Sequence, residues 1–154
     1  MSDPKIEHRI GIQAPPLVVW DLLADIESWP SWNPIYTQAR GRLGYGEALH
    51  LTCALPDKQP VEMVATVTEW VPEEQILWTT EPNRWLLRTT RYLEIDKLTE
   101  TACIFANGEL LQGWGAKSAA RQYGRAMYNG FELMGEAVKA RAEAMWIERQ
   151  AATR

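Results

Sequence analysis

Residues 10–34 read IGIQAPPLVVWDLLADIESWPSWNP, and the fold turns on how this stretch is read. Upstream and into it, Ile6, His8, Ile10 and Ile12 alternate with Glu7 and Arg9, the period of a strand with one dry face. Pro15 and Pro16 suit a first helical turn, where a missing N–H has no partner to lose. Val19, Leu22, Leu23 and Ile26 follow at helical spacing, which predicts a short helix to about Asp25. Trp29 and Trp32 then lie in a second short helical turn hemmed in by Pro30 and Pro34. Two of the largest apolar side chains in so broken a segment form either a rigid corner of the core or the lip of something hollow.

From Tyr36 to Gly113 the pattern is that of strands joined by tight turns. Gly41, Gly44 and Gly46 supply hairpin backbone. Leu49, Leu51, Cys53 and Leu55 alternate with His50 and Thr52, and Val61, Met63, Ala65 and Val67 with Glu62, Thr66 and Thr68. Residues 84–96 and 101–113 read as two longer strands around a polar turn at Asp96–Glu100. About seven antiparallel strands result, with hairpin-length connections. From about Ala116 to Arg149 the period changes: Tyr123, Met127, Phe131, Met134, Val138 and Met145 recur every three to four residues along one helix. A sheet with one apolar face and a single long amphipathic helix bury each other if the sheet curls around the helix. The expectation is an α+β chain forming one domain over residues 1–154.

The chain of 154 residues carries 16 Lys and Arg against 20 Asp and Glu, a formal charge of −4, with no basic run. Nucleic acid wants a basic stripe, so that partner is not expected. No apolar stretch approaches the ~20 residues of a membrane span. Cys53 and Cys103, without an export signal ahead of them, read as reduced thiols of a cytoplasmic protein. Eight tryptophans are more than a small close-packed core readily takes, and bulky aromatics suit cavity walls.

The order of elements resembles the START/Bet v 1-like superfamily (SRPBCC), especially its polyketide cyclase/dehydrase and lipid-transport branch. The APP that opens the first helix, Val19-Trp20, Leu23, Asp25 and WPSWNP carry that resemblance, with a weaker echo at Arg91-x-Leu93-x-Ile95 and Thr101. It implies a helix-grip fold, with the WNP corner closing one end of the grip and an internal cavity between sheet and C-terminal helix.

Catalytic sets are sparse. Two well-separated histidines and two cysteines on different strands give no metal-ligand spacing, no nucleophile turn is present, and the glycines build no phosphate loop. No metal or cofactor is therefore expected. Polar residues on faces that ought to be dry remain. Carrying the parity of Leu93 and Ile95 backwards places Arg91, Thr89, Leu87 and Trp85 on the concave face. Carrying Cys103 and Phe105 forwards adds Asn107, Glu109 and Leu111. The expected turn sets Arg91 near Phe105 or Asn107, so that Arg91 and Glu109 meet diagonally, and Glu69 is a candidate third charge. Arg91 and Glu109 are thus candidate catalytic residues; a structural ion pair, or a bulge that leaves both in solvent, are the alternatives.

The expected ligand-binding wall comprises Trp29, Leu51, Met63 and Val67, with Trp85, Thr89, Arg91, Phe105, Asn107 and Glu109 from the two long strands. Tyr123, Met127, Gly130, Phe131 and Met134 complete it from the helix. Gly130 leaves room for a guest or lets sheet backbone approach. The leading functional expectation is a binder of a hydrophobic small molecule, a lipid or polyketide-like compound. The alternatives are an aromatase/cyclase or dehydrase working in the same cavity, and a protein-interaction module or homodimer using Trp70, Trp78 and Trp146 as exposed contacts.

Overall fold

Residues 2–83 and 85–153 are described by a computed structural model. β1 (Lys5–Ile12) leads into α1 (Pro16–Ala24) and a 3₁₀ turn at Ile26–Ser31. Six strands follow: β2 (Tyr36–Arg40), β3 (Ala48–Cys53), β4 (Val61–Val71), β5 (Gln75–Asn83), β6 (Leu87–Thr99) and β7 (Ala102–Gln112). α2 (Ala116–Ala152) closes the chain. The seven strands form one curled antiparallel half-barrel in the order β1-β7-β6-β5-β4-β3-β2, so the first strand pairs with the last. This is the helix-grip architecture that the resemblance implies, with the sheet curled around the helix as the two periods predict.

The tryptophan corner is rigid core. Pro16 begins α1, which buries Val18, Val19, Leu22 and Leu23. Trp29 is 0 % exposed and donates its indole N–H to the Leu23 carbonyl at 3.0 Å. Its own carbonyl accepts from the backbone N–H groups of Trp32 and Asn33 at 3.1 and 2.7 Å. Asn33 then accepts from the N–H of Ile35 and of Tyr36 through Oδ1, at 3.0 and 3.2 Å, which fixes where β2 starts. A segment that proline prevents from forming a long helix finds its backbone partners in these short local bonds instead.

α2 has 37 residues and so runs about 55 Å at 1.5 Å per residue. Met127, Phe131, Met134, Val138 and Ala142 form its buried stripe. Two of its glycines have packing reasons. A Cβ at Gly135 would meet the His8 ring of β1 at 2.8 Å, and one at Gly130 would meet Leu55 Cδ2 at 2.8 Å. Gly130 therefore admits the side chains of the β3–β4 connection, neither a guest nor sheet backbone.

Three expectations of register and face are corrected. The β6–β7 hairpin closes more tightly than Asp96–Glu100, between Thr99 and Ala102, so Arg91 stands directly opposite Glu109 and Thr89 opposite Leu111. A register shift between Val67 and Glu69 in β4 reverses the parity there, and Glu69 faces solvent. Trp85 precedes β6, in the β5–β6 turn, and is 76 % exposed rather than on the concave face.

Candidate functional site

The sheet and α2 enclose a pocket of about 490 Å³ beneath the N-terminal third of the helix. Met63 from β4, Leu87 from β6 and Leu111 from β7 form its apolar sheet wall, and Tyr123, Met127 and Phe131 face them from α2. Leu55 and Lys58 of the β3–β4 connection also line it. Its polar floor holds Arg91, Glu109, Thr89, Tyr36 and Cys53.

Arg91 is 2 % exposed and its five N–H groups are all engaged by neutral acceptors. Nε donates to the Tyr36 hydroxyl at 2.9 Å, and Nη1 to the carbonyls of Tyr92 and Gly108 at 3.3 and 3.1 Å. Nη2 donates to Asn107 Oδ1 at 2.8 Å and lies 3.3 Å from Met134 Sδ. The Phe131 ring sits 4.0 Å from the guanidinium carbon, with Tyr36 and Trp78 each at 5.8 Å, so aromatic faces supply the remaining stabilisation. Asn107 passes the connection on by donating to the Phe131 carbonyl of α2 at 3.1 Å. Arg91 is thus a strut between sheet and helix. It is not half of an ion pair, and it has no N–H left for a guest.

Glu109 differs. It faces Arg91 across the hairpin but is not among its acceptors, and Thr89 donates a hydrogen bond to it. The Thr89 hydroxyl also shares a short hydrogen bond with that of Thr80. Glu109 keeps partial exposure, and as a pocket-lining residue it opens toward the cavity. Burial raises its pKa above the usual carboxylate range, against the opposing pull of the Arg91 charge and the Thr89 hydrogen bond. Burial likewise pushes the Cys53 thiol up to about 11, so at neutral pH it is a protonated, weakly nucleophilic wall group.

Of the residues expected to form the wall, Met63, Thr89, Arg91, Glu109, Tyr123, Met127 and Phe131 do converge on the pocket. Asn107 and Met134 stand behind it, holding Arg91. Leu51, Val67 and Phe105 are solid core, at most 2 % exposed. Trp29 packs behind the floor, 5.4 Å from the Tyr36 ring and 5.8 Å from that of Trp78. Gly130 and Trp85 lie outside the lining, for the reasons given above. Sequence reasoning missed Tyr36 as part of the wall, along with Cys53, Leu55, Lys58, Leu87 and Leu111 of the lining. Tyr36 reaches Arg91 across 55 positions, and its local signal is a phenol two residues after the WNP corner. Of the tryptophans expected at a contact surface, Trp78 is buried at 1 % exposure, and Trp70 and Trp146 are half-buried against the core.

Among the described residues no cluster of His, Cys, Asp or Glu is arranged to hold a metal ion, and no helix is long and apolar enough to cross a membrane. Comparison with known proteins places the site in a wider setting. The model of a family described as polyketide cyclase / dehydrase and lipid transport matches residues 3–143. A START superfamily protein from Mycobacterium smegmatis superposes with a TM-score of 0.68 at 15 % identity, over 92 % of this chain and 98 % of its own. The di-domain ARO/CYC StfQ from the steffimycin biosynthetic pathway gives 0.69 at 14 % identity, over 94 % of this chain and 52 % of its own. A norcoclaurine synthase from Thalictrum gives 0.67 at 12 % identity, over 96 % of each chain. At such identities these structures share the fold alone. No curated protein matches the sequence.

Proposed function

The chain belongs to the polyketide cyclase / dehydrase and lipid transport family, and from that premise we propose that it binds a neutral hydrophobic small molecule whose hydroxyl meets Glu109. The observation that carries this reading is the pairing of an apolar cavity of about 490 Å³ with a floor whose ionisable groups differ in availability: Arg91 saturated, Glu109 open. A cavity of that size is in the ordinary range for small-molecule sites, where apolar walls give affinity and a few polar groups fix orientation. A guest hydroxyl donates to the Glu109 carboxylate, or accepts from the carboxyl when it is protonated. A guest carboxylate meets like charge with no free guanidinium N–H to offset it.

Displacement of a fluorescent naphthalene probe tests this with three competitors on one skeleton: naphthalene, 2-naphthol and 2-naphthoate. At mildly alkaline pH 2-naphthol binds about tenfold more tightly than 2-naphthoate, the scale of one hydrogen bond to a charged group. Met63→Trp fills the cavity and abolishes binding of all three while unfolding stays cooperative. Equal affinity for naphthol and naphthoate overturns the role of Glu109, and failure of the probe to bind at all overturns the pocket.

The raised pKa of Glu109 favours one second reading, a dehydrase or cyclase acting on a keto compound in the same cavity. There Glu109 takes the proton from carbon beside a carbonyl and returns it to a departing hydroxyl, which leaves as water as the double bond forms. Arg91 serves that chemistry by its charge and not by a hydrogen bond to the guest. Glu109→Gln then lowers turnover of a β-hydroxy ketone at least a hundredfold while changing its affinity little; comparable small losses in both remove the enzymatic reading.

A further inference from the structure

Three polar side chains from three neighbouring strands run across the pocket floor. Thr80 of β5 stands directly opposite Thr89 of β6, and the two hydroxyls share a hydrogen bond. Thr89 lies diagonal to Glu109 across the β6–β7 pair, because Arg91 is the residue opposite Glu109 and Leu111 the one opposite Thr89. Thr89 donates to the Glu109 carboxylate. All three side chains line the cavity, as do the apolar Met63, Leu87 and Leu111. Thr89, in the middle, is buried, whereas Thr80 and Glu109 at the two ends keep partial exposure. The regular pairing of β5 with β6 breaks just beyond Thr80, and Pro82 from that break also faces the pocket.

Counting protons orients this row. A threonine hydroxyl has one proton and two lone pairs, and a carboxylate only accepts. Thr89 gives its proton to Glu109, so the proton in the Thr80–Thr89 bond is that of Thr80. Thr80 then has no proton left for a guest, but it keeps a lone pair that can accept one. The row therefore ends in two acceptors, Glu109 on β7 and Thr80 on β5. They are separated by at most two O–H···O lengths, about 5 Å. That is close to the spacing of the two hydroxyl oxygens of a 1,3-dihydroxyarene and far wider than that of adjacent hydroxyls. A cross-strand threonine pair in a closed sheet is a structural contact. Here its free end borders a cavity.

We propose that Thr80 is a second guest-contacting residue, an acceptor that acts with Glu109 to select a 1,3-dihydroxyaromatic guest over monohydroxy and adjacent-dihydroxy compounds. This role rests on the reading of Glu109 as the acceptor of a guest hydroxyl and extends it to the far end of the floor. The test is displacement of the naphthalene probe from the full chain at mildly alkaline pH, which favours the Glu109 carboxylate. The competitors are 2-naphthol, 1,3-dihydroxynaphthalene, 2,3-dihydroxynaphthalene and 3-methoxy-1-naphthol. The 1,3-diol binds about fivefold more tightly than 2-naphthol, the scale of one neutral hydrogen bond. The 2,3-isomer, whose hydroxyls are too close together, does not share the gain, nor does the methoxy compound, which has no second proton to give. Thr80→Val removes the gain while unfolding stays cooperative; should that variant not fold, the four competitors on the wild-type chain still decide. Equal affinity for 1,3-dihydroxynaphthalene and 2-naphthol overturns the proposal, as does a gain that Thr80→Val retains. The same gain from 3-methoxy-1-naphthol also overturns it, because Thr80 is then a donor. The two roles fail separately. Loss of the preference for naphthol over naphthoate removes Glu109 and Thr80 together, whereas a retained preference with no gain from the diol removes Thr80 alone.

Discussion

The two halves of α2 lie over the same curled sheet and do opposite things with it. Toward the C-terminus, Met134, Val138 and Ala142 are each 0 % exposed and close on fully packed sheet residues such as Phe105 and Cys103. Toward the N-terminus, Ala119, Tyr123 and Met127 border open space. Both halves have the helical period, so periodicity alone does not separate a filled grip from a hollow one. The boundary is marked by Arg91, whose bonds to Tyr36, Asn107 and two strand carbonyls hold the sheet at a fixed distance from Phe131. A charge has been placed where packing ends, and its hydrogen bonds keep the hollow from collapsing.

The sharpest way to break this comparison is Arg91→Ala. It orphans the Tyr36 hydroxyl, Asn107 and two carbonyls together, and a loss of roughly 3–5 kcal/mol in urea unfolding is expected. A loss below about 1 kcal/mol would mean that the strut is ornamental. The next variants set one half against the other. Met134→Ala empties a filled site and costs about 2–5 kcal/mol, whereas Met127→Ala enlarges an existing space and costs about half as much. Equal losses would mean that the two halves pack alike.

How much of this contrast the sequence carries is plain from particular residues. The alternation through Leu93, Ile95, Cys103 and Phe105 identifies β6, β7 and their concave face, and it correctly turns Arg91 and Glu109 inward. Their exact pairing depends on one hairpin turn, and polar residues from Asp96 to Thr101 do not say where it closes. Glu69 fails for a related reason: a bulge within β4 leaves no compositional trace. Trp85 fails because a strand's period was carried past its first residue into a turn. The availability of Arg91 was beyond reach altogether, since it depends on Tyr36 and Met134, 55 and 43 positions away.

The smallest predicted effect sharpens the contrast on the floor itself. Burial raises the pKa of Glu109 in the folded state, so folding favours the protonated form. Its contribution is present in full below the unfolded carboxylate pKa and is lost as pH rises through the higher folded value. Glu109→Gln removes that loss. The variant therefore unfolds at higher urea than wild type at neutral pH, and the difference closes on acidification. A gap that widens toward acid would reverse the sign and place the carboxylate in a stabilising pair.

Gly130 bears on the pocket although it is no part of its wall. Leu55 lines the pocket and rests in the notch that the missing side chain leaves on α2. A methyl group at that position would push against the tip of the Leu55 side chain and shift that part of the pocket wall. One side chain of the pocket wall is thus seated from behind, on a residue that is no part of the lining.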